Sequence, residues 1–252
     1  MCTLVICRRP AHPWPLILGA NRDERIDRPW LPPGRHWPDW ENVTGGLDET
    51  AGGSWLGVND HGLVAAVLNR VGTLGPAEGK RSRGELVLQA LDHADAGDAA
   101  RALGQLNPDA YRPFNLVVGD NRDAFWVAHR GGEAAIAVLP IEEGISMLTA
   151  RDLNDPTSPR VRRYLKHFQW AGPPDPETGD WQRWESLLAS EGFDPAAGPE
   201  GAMHVRTDTG FGTVSSSVLA IPAPASIPVP PVWRFADATR TPLVWRAVEG
   251  LR

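Results

Sequence analysis

Alternating apolar and polar runs predict two β-hairpins near the start of the chain. Residues 3–7 and 16–20 are short apolar runs of β-favouring side chains, and three prolines lie between them. Pairing these runs as a hairpin sets residue 2 opposite residue 21, within a residue or two. We therefore expect the run Asn21-Arg22-Asp23-Glu24 to lie beside Cys2.

A second hairpin is predicted around the turn signal Asn59-Asp60-His61-Gly62. Its first strand covers residues 52–58 and begins with two glycines, and its returning strand covers residues 63–68. The same counting sets Asn69, at the end of the returning strand, opposite Gly52. A glycine at that position would let backbone or substrate approach closely.

The rest of the chain alternates between blocks of strands and blocks of helices. This order is typical of antiparallel sheets with helices on their outer faces. A capping box, Ser82-Arg83-Gly84-Glu85, precedes residues with helical spacing from 86 to 94. Residues 25–40 and 222–231, rich in proline, are predicted to be ordered loops, so we expect a single domain over residues 1–252. Further helices are predicted over 98–106, 159–170 and 181–191, and further strands over 114–118, 125–128, 134–139, 145–149, 218–221, 232–235 and 243–248.

The composition is that of an ordinary globular protein of 252 residues, with 42% hydrophobic side chains and a formal net charge of −6. The negative charge argues against a nucleic-acid partner. No apolar run approaches the roughly 18 residues of a membrane-spanning helix, and Arg8-Arg9-Pro10 interrupts the first apolar run. We expect a cytoplasmic protein without stable membrane insertion, whose partner is a small-molecule substrate or ligand.

The cysteines and histidines do not form a metal-binding pattern. Cys2 and Cys7 are separated by an odd offset, so on one strand they point to opposite faces and are expected to form neither a disulfide nor a metal pair. The seven histidines are dispersed and lack zinc-site spacing, so we expect no metal site. Haem needs only one axial histidine, so this dispersal leaves haem open.

Cys2 carries the chemistry that the sequence suggests most directly. If Met1 is removed, Cys2 becomes the N-terminal residue, with a thiol and a free α-amino group on the same residue. The thiolate is the nucleophilic form of cysteine, and an adjacent base is the usual way to generate it. An α-amino group titrates at about 7.7–8.0 and can serve as that base, so no histidine partner is needed.

Motifs along the chain resemble a known family. The principal ones are Met1-Cys2-Thr3, Asn21-Arg22-Asp23-Glu24, Gly53-Ser54-Trp55-Leu56-Gly57 and Phe114-Asn115-Leu116-Val117-Val118-Gly119. Together they resemble the NRDE family, which is named for its Asn-Arg-Asp-Glu motif and is related to the transport and Golgi organization protein 2. The resemblance implies an α+β fold: an αββα sandwich of two antiparallel sheets, as in N-terminal-nucleophile (Ntn) hydrolases. It fixes no reaction; roles suggested for relatives include haem trafficking and the handling of lipid-derived molecules.

The chain also resembles, more distantly, the bile-salt hydrolase and penicillin V acylase group of cysteine Ntn hydrolases. Cys2 matches their nucleophile, Asp23 their aspartate beside the nucleophile's amino group, and Asn69 a hairpin asparagine of their oxyanion hole. Three other functional positions of that group fall on Ala20, Ala150 and Val214, where this chain lacks the expected arginines and asparagine. Arg22 and Asn154 are the nearest replacements.

Each candidate residue also has a purely structural interpretation. Asp23 would orient the α-amino group of Cys2, and Arg22 would bind a substrate carboxylate or instead form a buried salt bridge. Asn21 would contact substrate or the oxyanion, or instead cap a turn. Asn69 would donate to the oxyanion, or instead end its strand as a turn residue.

The leading hypothesis is a cysteine Ntn amidohydrolase that acts on a small amide, with Cys2, Asp23 and Asn69 catalytic and Arg22 and Asn21 binding substrate. No cofactor is expected under it. The alternative is a non-catalytic carrier of haem or of acyl-CoA-like and lipid ligands on the same fold, with residues 29–40 lining its pocket. A third hypothesis is a structural protein of membrane traffic with a protein partner.

Overall fold

The computed structural model describes residues 2–132, 135–225, 227 and 229–252 and consists of two antiparallel sheets. The first sheet has six strands in the order β10-β1-β2-β11-β12-β13. Its strands are β1 (Thr3–Arg8), β2 (Leu16–Arg25), β10 (Gly144–Leu148), β11 (Phe211–Ile221), β12 (Val232–Asp237) and β13 (Arg246–Ala247).

The second sheet has seven strands in the order β3-β4-β5-β6-β7-β8-β9 and is a simple meander along the chain. Its strands are β3 (Trp30–Gly34), β4 (Val43–Asp48), β5 (Leu56–Asn59), β6 (Val64–Asn69), β7 (Phe114–Gly119), β8 (Ala124–His129) and β9 (Ala137–Pro140). The predicted strand over 134–139 therefore begins later than expected, and its first residue lies outside the described part of the chain.

Helices cover the outer face of each sheet. The helices are α1 (Glu85–Leu91), α2 (Ala96–Gly104), α3 (Pro159–Ala171) and α4 (Gln182–Leu188). α1 and α2 pack on the seven-stranded sheet, and α3 and α4 pack on the six-stranded sheet. A third apolar cluster fills the space between the sheets. The αββα sandwich implied by the family resemblance is confirmed. No described helix combines the length and the apolar character that a membrane crossing requires.

The first hairpin has almost the predicted register. Thr3 pairs with Asn21, so at the next position Cys2 stands beside Arg22, one residue from the expected partner. Leu4 and Ile6 face the space between the sheets, whereas Val5 and Cys7 face α3 and α4. The predicted opposite orientation of the two cysteines is confirmed, and both are free thiols.

Two observed strands, β3 and β4, were not predicted from the sequence. Part of the proline-rich segment 25–40 is β3, an edge strand, where proline is tolerated because its missing N–H faces no partner. β4 had not been predicted, because its glycines are poor β-formers, and β5 begins only at Leu56.

The predicted capping box at the start of α1 is wrong. The Ser82 hydroxyl accepts from the Gly84 N–H, one residue too early for a capping box. The Glu85 carboxylate accepts from the Arg81 guanidinium and the Tyr111 hydroxyl instead of returning to the backbone of Ser82.

Candidate active site

Cys2 lies at the mouth of the space between the sheets, where it lines a cavity of about 330 Å³. Small-molecule sites in proteins commonly measure about 300–1,000 Å³. The walls come from the end of β2, the segment after β4, the end of β6 and the long loop before α1. Cys2, Arg22, Asp23 and Asn69 all line this cavity, so the structure brings four of the five predicted site residues together.

The Cys2 thiol is half-buried beside the backbone of the motif run. Its Sγ lies 3.6 Å from the Asp23 carbonyl oxygen, to which it can donate. Burial raises the pKa of the thiol, the Asp23 carboxylate raises it further, and Arg22 opposes both effects. The resting group is therefore a thiol, and a nucleophilic role requires a base. The predicted removal of Met1, which would supply that base, concerns a residue outside the described part of the chain.

Asp23 is fixed on the opposite face of β2 from Arg22, because successive side chains of a strand point to opposite faces. Its carboxylate accepts from the Thr213 hydroxyl at 2.7 Å and from Arg160 Nη1 at 3.0 Å, and it is fully buried. Arg160, at the start of α3, also donates to the Thr3 hydroxyl next to Cys2. Through Arg160 this network links the Asp23 carboxylate to the residue that follows Cys2.

Arg22 extends toward the seven-stranded sheet. Its Nη2 lies 3.1 Å from Asp48 Oδ2, and its guanidinium lies 4.3 Å from the centre of the Trp55 ring. The buried salt bridge anticipated as the structural alternative is therefore present. Arg22 Nη1 is buried and bonds no group in the described part of the chain. Burial lowers the pKa of Arg22, and the neighbouring acids partly offset this effect.

Asn69 ends β6 and borders the same cavity, half-buried. Within the described ranges no hydrogen bond joins its side-chain amide to another residue. It is also the only asparagine or glutamine among the described residues that line the cavity. A free amide at this place can donate to an oxyanion, which is the role predicted for it. Gly52, its predicted partner, lies outside β5, so no strand pairing joins the two.

The structure assigns Asn21 a different place. Its amide nitrogen donates to the Leu188 carbonyl at 2.9 Å and to the Met203 carbonyl at 2.8 Å, and its oxygen accepts from Ser216. Asn21 faces the helical layer because it alternates with Arg22 along β2. We therefore remove Asn21 from the substrate contacts, and regard it as a tie between β2, α4 and β11.

Residues 29–40 do not line the Cys2 cavity. Trp30 packs edge-on against Trp55 and Phe235, and Trp37 and Trp40 pack against the core beneath α1 and α2. Arg35, His36, Trp37 and Pro38 instead line a separate, open cavity of about 550 Å³. The carrier pocket predicted over residues 29–40 therefore stays a prediction. Asn154, the nearest replacement for the second oxyanion asparagine, bonds Ser146 and Met147 on β10 instead.

Sequence reasoning missed several cations near the site, among them one that pairs with Asp23 and three along the cavity. Arg160 pairs with Asp23, and Lys80, Arg83 and Arg112 line the cavity. Nothing in their local sequence distinguishes them from the other arginines and lysines, because only the folding of the loops before α1 and β7 and the packing of α3 bring them close to Cys2. The described residues contain no group of three His, Cys, Asp or Glu side chains that could hold a metal ion.

Comparison with known proteins identifies the family of this chain. The model of the family described as Transport and Golgi organisation 2 matches residues 1–224. The Bos taurus Transport and Golgi organization protein 2 homolog is 33% identical over 143 residues, which are 52% of this chain and 50% of that protein. The Homo sapiens homolog is 32% identical over 141 residues, with equal coverage. The chain spans about half the length of the curated relatives it matches.

Solved structures share the fold. A Caenorhabditis elegans N-acylethanolamine-hydrolyzing acid amidase ortholog is similar with a TM-score of 0.60 and 16% identity, over 86% of this chain and 92% of that chain. The C2A mutant of conjugated bile acid hydrolase from Clostridium perfringens is similar with a TM-score of 0.54 and 14% identity, over 98% of this chain and 92% of that chain. These likenesses place the chain in the Ntn-hydrolase fold. Since the family match extends over most of its length, the chain belongs to the Transport and Golgi organisation 2 family.

Proposed function

We propose that this chain is a cysteine Ntn amidohydrolase that cleaves a small amide. The observation that carries the proposal is the Cys2 thiol at the edge of a cavity, with the buried Asp23 carboxylate fixed behind the same stretch of backbone. Two structures of similar fold support it by name, one an amidase and the other a bile acid hydrolase.

The proposed reaction begins once Met1 has been removed and Cys2 carries the free α-amino group. The amino nitrogen takes the thiol proton as the sulfur attacks the amide carbonyl carbon, and the carbonyl oxygen becomes an oxyanion. The same nitrogen then returns the proton to the leaving amine as the C–N bond breaks. Water, losing a proton to the α-amino group, attacks the resulting thioester, which releases the acid and the thiol.

The surrounding residues would supply orientation and charge. Asp23, held by Thr213 and Arg160, would orient the α-amino group. Asn69 would donate to the oxyanion, since its amide has no competing partner among the described residues. Arg22 would donate a hydrogen bond to the substrate from its buried Nη1, while its Nη2 stays bonded to Asp48.

A turnover assay with three variants tests the proposal. The full chain with Met1 removed is screened against short N-acyl amides, and release of the amine is followed. Cys2→Ala abolishes turnover, whereas Cys7→Ser, which changes the thiol buried on the other face of β1, leaves it intact. Asn69→Ala lowers kcat by about 10²–10³-fold, the usual loss for one oxyanion donor. Turnover that survives Cys2→Ala would refute the proposal.

A further inference from the structure

The charged groups of the Cys2 cavity are unevenly balanced. On one wall Asp48 accepts from Arg22 at 3.1 Å and from Arg28 at 2.8 Å. The Glu24 carboxylate lies within 4.0 Å of the same two arginines, so two negative charges offset two positive ones. On the other wall stand Lys80, Arg83 and Arg112, which we call the cationic wall. Within the described ranges no carboxylate lies in ion-pair distance of any of these three. The wall is positive although the chain has a formal net charge of −6.

Two guanidiniums of this wall converge on one atom. Arg83 Nη2 lies 3.4 Å from the Gly75 carbonyl oxygen, and Arg112 Nη1 lies 3.1 Å from the same oxygen. Burial, followed by the charge of Arg112, lowers the pKa of Arg83 to about 10, so Arg83 stays protonated at neutral pH. The molecule thus holds two like charges close together in a partly buried place, which is unfavourable without a counterion.

The other partners of these arginines do not neutralise them. Arg83 also donates to the Thr73 hydroxyl and the Pro113 carbonyl, and Arg112 donates to carbonyls of the loop between residues 72 and 76. Neutral acceptors fix the position of a guanidinium and leave its charge available. Fixed, uncompensated guanidiniums at a cavity are well suited to bind carboxylate or phosphate oxygens.

We infer that the cationic wall binds an anionic group of the substrate, a carboxylate or a phosphate, while the Cys2 thiol faces the scissile amide. This inference rests on the proposed function for the amide, but the anion site itself can be measured without turnover. A purely structural role for Arg83 and Arg112, in which they only secure the loop, predicts no preference between charged and neutral ligands.

Binding of matched ligands to the full-length Cys2→Ala protein tests the inference. One pair is N-hexanoyl-β-alanine against N-hexanoyl-3-aminopropanol, and the other is N-hexanoyl-O-phosphoethanolamine against N-hexanoylethanolamine. Isothermal titration is expected to show the anionic member binding at least about tenfold more tightly than its neutral partner, as one charge-assisted hydrogen bond allows. Which of the two pairs shows the larger difference identifies the anion as carboxylate or phosphate.

Variants then locate the site. Arg83→Gln with Arg112→Gln removes the preference, whereas Arg81→Gln leaves it, because Arg81 lines the same cavity but is paired with Glu85 at 2.6 Å. If the double variant does not fold, Lys80→Gln and a salt titration decide: the preference shrinks several-fold between about 0.1 M and 1 M salt as screening increases.

The possible failures are distinguishable. Equal binding of both members of each pair would overturn the anion site, even if both amides are hydrolysed through Cys2. A preference unchanged by Arg83→Gln with Arg112→Gln would overturn it as well. Anion-selective binding without hydrolysis of any amide would support the anion site and count against the proposed hydrolase.

Discussion

Cys2 and Arg22 lie side by side at the mouth of the cavity. They face the same side of the six-stranded sheet at adjacent register positions. Burial and the Asp23 carboxylate raise the pKa of the thiol, and the Arg22 charge lowers it. The thiol is thus kept in its unreactive form until a base acts, and Arg22 limits how far the pKa rises.

Alkylation of Cys2 by iodoacetamide checks this balance. Because the Cys2 pKa is raised, its alkylation rate should keep increasing above the pH at which an ordinary thiol, with a pKa of about 8.5, is fully reactive. Arg22→Gln removes a cation, raises the pKa further and should slow alkylation at about pH 8 by roughly three- to tenfold. Arg22→Lys keeps the charge and should show a smaller effect. Peptide mapping separates Cys2 from the buried Cys7, and an unshifted or lower-pH profile for Arg22→Gln would contradict this account.

Local sequence predicted the site residues that one hairpin determines. Cys2, Arg22 and Asp23 follow from the register of β1 and β2, which two apolar runs and the prolines between them specify. Asn69 follows in the same way from the position at which β6 ends. Asn21 was misassigned because the pattern did not show that Leu188 and Met203 would approach β2 from the helical layer. Arg83, on the long loop before α1, and Arg112, just before β7, lie in segments that have no periodicity to interpret.

The end of β2 contacts both the opposite sheet and the helical layer, and the candidate site lies at that end. Arg22 points between the sheets, while Asp23 points to α3 and joins it through Arg160. The Asp23–Arg160 pair is almost completely buried, and it ties the helical layer to the strand that carries the motif. Losing one member of such a pair leaves the other charge buried without its counterion.

Asp23→Asn should therefore destabilise the fold as well as the chemistry. We expect the free energy of unfolding in urea to fall by about 3–5 kcal/mol, the usual cost of breaking a buried ion pair. Asp27→Asn is the matched control, since Asp27 pairs with Arg25 on the open surface of the same region, and it should leave the unfolding curve unchanged. A loss below about 1 kcal/mol for Asp23→Asn would show that the pair behaves like an exposed one.

The two strands that were not predicted, β3 and β4, contain residues that are uncommon in β-strands. β3 contains two prolines and β4 two glycines, so neither has the β-branched runs that identified β1 and β6. Both are held by tertiary context: β3 lies at the sheet edge, and Gly46 in β4 leaves space for the Trp55 ring. An alanine Cβ at Gly46 would lie 2.2 Å from that ring, so the position needs glycine for a reason that only the fold shows.

The candidate site draws its residues from several layers of the sandwich. Cys2 and Arg22 lie between the sheets, and Asp23 is bonded from the helical layer. Asn69 comes from the opposite sheet, and the cationic wall comes from the loops before α1 and β7. The layered order was predicted from alternating blocks of strands and helices together with the family resemblance. The positive charge along one wall of the Cys2 cavity was not predicted, because the side chains that supply it meet only in the folded chain.

Intact-mass analysis of the purified full chain, before and after brief exposure to an N-acyl amide and an acid quench, tests the proposed nucleophile most directly. The account predicts a chain lacking one methionine residue that gains the acyl mass on the Cys2 peptide, with no adduct in Cys2→Ala. A chain that retains Met1 yet hydrolyses the amide, or an acyl group found on Cys7 or on no cysteine during turnover, would contradict it.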